Sequence, residues 1–124
     1  MILYKISAGD GKHHVWLQLW QTEDGWIGSL TGGEKPHVGG VVLAVPRPSL
    51  SGSGSSCDIW PITVPGHLDN EAGMPIAKNL CLKLGVPISL TCGIHIDHAS
   101  AEDISLVKKN CQTALEEFFK IFLT

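Results

Sequence analysis

The stretch Ile88-Ser89-Leu90-Thr91-Cys92-Gly93-Ile94-His95-Ile96-Asp97-His98-Ala99-Ser100 constrains the fold more than any other part of this chain. It reads as an apolar strand that ends in two imidazoles and a carboxylate, directly ahead of a capped helix. Ser100 and Asp103 have capping-box spacing, with Asp in place of the usual Glu. Beyond them Ile104, Val107, Cys111, Ala114, Leu115, Phe118 and Phe122 recur at helical period, predicting a helix to about Phe122. In open α/β sheets the carboxyl end of such a strand is where ligands bind.

An earlier helix is predicted from Leu68, Ala72, Ile76, Leu80 and Leu84, with Ala77 and Cys81 widening the stripe. Gly85 and Pro87 stop it. Pro75 argues for a regular start only near Met74, or a kink in a first turn beginning near Asp69. Six strands complete the set: residues 2–8, 14–21, 26–30, 38–45, 57–64 and 86–96. Residues 47–56, rich in Pro, Gly and Ser, read as a mobile connection, and Pro61 as the mark of a bulge or edge strand. The expected fold class is α+β: a six-stranded, mainly antiparallel sheet with a C-terminal βαβα unit and two helices on one face. One domain, residues 1–124, is expected.

The composition excludes several functions. Net charge is −3 and Arg47 is the only arginine, so no basic stripe invites nucleic acid. The apolar run at 38–46 is far short of the roughly 20 residues that cross a bilayer, and the N-terminus does not read as a signal peptide. No membrane partner and a cytoplasmic location are expected. Cys57, Cys81, Cys92 and Cys111 form no Cys-x-x-Cys pair and read as buried free thiols. His13 and His14 fall at a hairpin turn and read as solvated. The tryptophans read as core and interface residues, although they are able to stack on a ring.

Topology brings separated segments together. A right-handed crossover makes the fifth and sixth strands parallel, so His67 and the group His95, Asp97 and His98 lie at the same edge. An antiparallel fourth strand adds His37 and the Gly32-Gly33 loop. His37, His67 and His95 are therefore expected in one pocket. With the helix N-termini at His67 and Ser100, this rim suits an anion such as a phosphate. His95, Asp97 and His98, with His67 or His37, also contain enough donors for a metal, but match no strong motif. No recognisable nucleophile motif or phosphate loop is present.

Three motifs resemble the LpdD family, small proteins found alongside UbiD-type decarboxylases. They are Gly33-Glu34-Lys35-Pro36-His37-Val38-Gly39 before an apolar strand, Pro65-Gly66-His67 opening a helix, and Gly93-Ile94-His95-Ile96-Asp97 before a capped helix. The resemblance spans roughly residues 12–120. It implies a fold similar to small proteasome-assembly chaperones and a non-catalytic role. That role is to bind reduced prenylated FMN, or FMN, and deliver it to a UbiD-type decarboxylase apoenzyme. The cofactor-binding positions it implies are Gly33, His37, Gly39, Gly66, His67, His95, Asp97, His98 and Ser100. The chain departs from the family at His98, where Asn is usual. Two rival readings are an accessory catalytic subunit of the decarboxylase and a protein-binding module of chaperone fold. A homodimer is expected, because the early strands are apolar on both faces and two helices cover only one.

Overall fold

A computed structural model describes residues 2–65 and 70–124. The described elements are β1 (Leu3–Ala8), a single 3-10 turn (Gly11–His13), β2 (Val15–Thr22), β3 (Gly25–Gly33), β4 (Gly40–Pro48), β5 (Ser55–Thr63), α1 (Asn70–Leu84), β6 (Ile88–His95) and α2 (Ala101–Phe122). The strands form one sheet in the order β1-β2-β3-β6-β4-β5. Only β3 and β6 pair in parallel; the other four ladders are antiparallel.

Alternation along each strand sorts side chains into two faces. In register, Ile6, Leu17, Leu30, Cys92 and Gly40 form one row of the inner face. Tyr4, Leu19, Gly28, Leu90 and Val42 form the next. Both helices cover this face: α1 lies against β4, β5 and β6, and α2 against β1 and β2. Phe118 is fully buried, with Tyr4 and Trp26 edge-on to its ring at 5.4 Å each.

Three expectations are corrected by packing. The later start of the first helix is overturned, because α1 is already helical at Asn70 and runs through Pro75. Proline lacks the N–H that would reach back four residues, so burial of Ile76, Ala77, Leu80 and Cys81 outweighs that loss. The supposed mobile connection is shorter than expected: β4 and β5 pair out to Pro48 and Ser55, leaving residues 49–54 as a turn closed by Ser49 N–H donating to Gly54 O at 3.1 Å. Ile104, assigned to the apolar stripe, is exposed on α2. Pro61 does lie on an edge strand, and all four cysteines are buried and free.

The register decides what the β3–β4 connection must do. β3 lies on one side of β6 and β4 on the other, so residues 34–39 have to cross β6. They cross its outer face at Gly93, where a Cβ would collide with the His37 carbonyl. Glycine is required by that close approach.

Candidate functional site

The crossing strap is stitched to the end of β6. Glu34 N–H donates to His95 O at 2.8 Å, His37 N–H to Gly93 O at 3.3 Å and Gly39 N–H to Cys92 O at 2.8 Å. Gly39 also accepts from Val64 N–H at 2.9 Å, extending the β4–β5 pairing one residue past each strand. Gly33 has φ +76°, and a Cβ there would strike the His95 carbonyl. Gly33 and Gly39 thus serve the rim through backbone, with no side chain to offer a ligand.

This backbone platform sets two imidazoles side by side, tilted against each other. The His37 and His95 ring centroids are 5.8 Å apart with a 54° tilt. His95 Nε2 donates to Asp97 Oδ1 at 2.8 Å, which orients the ring and leaves Nδ1 toward other partners. That bond, with the His95 charge and weaker attraction from His98 and Lys35, lowers the Asp97 pKa from its ordinary value. Asp97 N–H in turn donates to Glu34 Oε1 at 3.0 Å. With Nε2–H given to Asp97, Nδ1 of the neutral His95 ring is an acceptor, and it donates to an anion only in the imidazolium form. Among the described residues no group of three His, Cys, Asp or Glu is placed to hold a metal ion.

His98 is exposed with φ +50°, the left-handed region that Asn and Gly tolerate best. Its backbone makes the turn from β6 into α2. Ser100 serves as the N-cap of α2: its hydroxyl accepts from Asp103 N–H at 3.0 Å, and Asp103 Oδ2 accepts from Ser100 N–H at 3.0 Å. Glu102 and Asp103 add negative charge in the same turn. The box and these two carboxylates therefore disfavour an anion at the α2 N-terminus. Gly66 and His67 lie outside the described residues, so of the three histidines expected together the structure unites His37 and His95.

Four participants escaped the sequence reading. Glu34 and Lys35 flank Asp97 across a gap of 63 and 62 residues, which no local period signals. His13, read as solvated, is half-buried instead. Its Nε2 donates to Asp103 Oδ1 at 2.8 Å, and Asn110 Nδ2 donates to its carbonyl at 2.8 Å, so the hairpin turn is bolted to α2. Asp103 is held well below the usual carboxylate range, first by the Ser100 backbone N–H and then by His13.

Asn70, in the first described turn of α1, is the fourth. Its Nδ2 donates to Ile62 O at 3.1 Å and Thr63 Oγ1 at 3.0 Å. The amide lies flat on Gly40, where any Cβ would collide with it. Its Oδ1 is buried without a hydrogen-bond partner among the described residues. Such an acceptor is costly unless something supplies a donor. Gly40 pairs with Cys92, so this acceptor lies near the same end of β6 as the imidazole pair but on the inner face of the sheet, under α1, whereas the pair lies on the outer face.

A cleft of about 330 Å³ lies at the opposite end of β4, lined by Pro46, Arg47, Ser55, Cys81 and Gly85 among others. Its guanidinium is engaged already, donating to Asp58 Oδ1 at 2.8 Å and Pro48 O at 3.1 Å. Burial, with Cys57 beside it, pushes the Cys81 thiol up to about 11, which leaves it inert as a nucleophile.

The fold and the rim define a class before they define a family. The chain is similar to a chain in the crystal structure of a novel chaperone complex for yeast 20S proteasome assembly, with TM-score 0.51 and 9% identity. The likeness covers 93% of this chain and 99% of that one, and at this identity it shows the fold alone. No curated protein matches the sequence. The prenylated flavin chaperone LpdD-like domain matches residues 9–123, and the chain belongs to that family.

Proposed function

We propose that this chain is a non-catalytic carrier that binds reduced prenylated FMN, or FMN, and passes it to a UbiD-type decarboxylase apoenzyme. The observation that carries this reading is the His37–His95 pair, held on a hydrogen-bonded backbone platform and oriented by Asp97. Imidazole N–H groups donate to phosphate oxygens, more strongly when the ring is protonated. Membership of the prenylated flavin chaperone family supports the same ligand.

Titration of wild type and His95→Ala with FMN and prenylated FMN, followed by flavin fluorescence, tests the reading. Loss of one charge-assisted hydrogen bond, about 1.5 to 3 kcal/mol, corresponds to roughly 10- to 150-fold weaker binding. His95 is partly exposed, so thermal midpoints are expected to stay nearly equal. Equal affinities would remove His95 from the site, and a wild type that binds neither flavin would end the carrier reading. Mixing the protein with decarboxylase apoenzyme separates carrier from catalytic subunit. A carrier is needed only while cofactor is loaded, a catalytic subunit at stoichiometry throughout turnover.

A further inference from the structure

The strap puts a step in the outer face of the sheet. Residues 34–39 lie on top of β6, so the strap and the His37–His95 pair form a ledge beside the neighbouring strand, β3. The outward residues of β3 at this end are Thr31 and Gly33, which pair with Gly93 and His95. Beyond them Trp16 of β2 pairs with Thr31, and Gly33 N–H donates to His14 O at 2.9 Å. Val15 and Leu17 point into the core, so His14 and Trp16 project from the outer face. Both are half-buried, and their rings meet edge-on with centroids 4.8 Å apart. The Lys5 ammonium of β1 lies over the indole at 4.7 Å.

Two walls thus face each other across one strand. The imidazole pair forms one and the indole with His14 the other, two strand spacings or about 9.5 Å apart. An indole on the solvent side of a sheet offers a flat apolar surface on which another aromatic ring stacks favourably. The ammonium held beside it adds attraction for an electron-rich or anionic ring. In a flavin mononucleotide the ribityl chain separates ring from phosphate. A phosphate at the imidazole pair therefore lets the ring reach across Thr31 to Trp16. On the other side of the strap the nearest outward residues, Val41 and Ile62, are aliphatic and give no ring to stack on. Trp20 lies on the same face of β2 but four residues further from the rim, about 13 Å. Trp26 is in the core.

We infer that Trp16, with His14 and Lys5 beside it, is the ring-stacking wall of the site proposed above, opposite the His37–His95 pair. The inference rests on the carrier reading and adds to it residues of β1 and β2, none of which the sequence reading placed in the site. Titration of wild type and variants with FMN and with riboflavin, which lacks the phosphate, tests it through quenching of flavin fluorescence. Wild type is expected to bind and quench both, FMN the more tightly. Trp16→Leu is expected to bind each about tenfold more weakly and to lose most of the quenching. His95→Ala is expected to weaken FMN and leave riboflavin unchanged, and Trp20→Leu to match wild type. Thr31→Tyr fills the floor with a good strand former, so it is expected to weaken both flavins with unchanged circular dichroism. It decides the matter alone should Trp16→Leu lose its fold. Affinity and quenching in Trp16→Leu or Thr31→Tyr equal to wild type would overturn the inference and leave the carrier reading standing, as would an equal loss in Trp20→Leu. A wild type that binds neither flavin would end the carrier reading and this inference with it.

Discussion

Asp103 does more than its place in the sequence announces. One carboxylate closes the α2 capping box, receives His13 and lies 3.4 Å from Lys12. Its pKa is depressed in the folded chain, so its contribution is fully present above the unfolded carboxylate value of about 3.9. That contribution is lost as pH falls through the lower folded value. Wild-type stability in urea is expected to fall between pH 5 and pH 2 (about the range where such groups titrate), with a shallower fall in Asp103→Asn. Equal acid slopes for the two proteins would show that the carboxylate is not coupled to folding. Ser100→Ala removes the reciprocal half of the cap and is expected to cost about 1 kcal/mol at neutral pH. His98 sits in left-handed backbone. His98→Asn is expected to leave the melting temperature unchanged or higher, and His98→Val to lower stability by about 1–2 kcal/mol.

At the scale of elements, α1 and the strap make opposite use of special residues. Pro75 is tolerated inside α1, exposed on the side away from the sheet, while Ile76, Ala77 and Leu80 are buried. Pro75→Ala restores a backbone hydrogen bond and is expected to stabilise the protein by about 1–3 kcal/mol in equilibrium denaturation. An unchanged midpoint would mean that the helix has already relaxed around the ring. Gly93 is the reverse case. Gly93→Ala is expected to displace residues 36–38 from β6, separating His37 from His95 and weakening flavin binding more than it lowers the melting temperature. A heteronuclear NMR spectrum of the variant checks this directly through the His37 and His95 amide shifts.

At the scale of the whole molecule, one face of the sheet is closed by two helices and the other is apolar and open. If two copies share the open face, association and folding are linked, so the thermal midpoint rises with protein concentration. Wild type is expected to melt several degrees higher at about 100 µM than at 1 µM. Leu43→Glu is expected to show no such dependence. A midpoint that ignores concentration in both proteins would contradict the shared face.

Helical period and capping signals were legible without coordinates, because each depends on residues within a turn or two. Val107, Cys111, Ala114, Leu115 and Phe118 face the core as their spacing requires, and Ser100 and Asp103 cap α2 as theirs does. Six strands, with the carboxyl ends of β5 and β6 at one edge, also followed from alternation and connection rules, and with them the meeting of His37 and His95. Strand order did not. Nothing local tells β6 to insert between β3 and β4, because any apolar strand of similar length presents the same ladder groups to either neighbour. That insertion forces residues 34–39 across Gly93, and so brings Glu34 to Asp97. It also accounts for two glycines, Gly33 where the strap leaves β3 beside His95 and Gly93 beneath His37. Likewise, His13 finds Asp103, and Asn70 finds Gly40, only after the helices dock. Sequence alone determined which faces are apolar and where α2 begins. The tertiary structure decided which distant polar groups meet at the rim, because those meetings depend on pairing energies summed over the whole sheet.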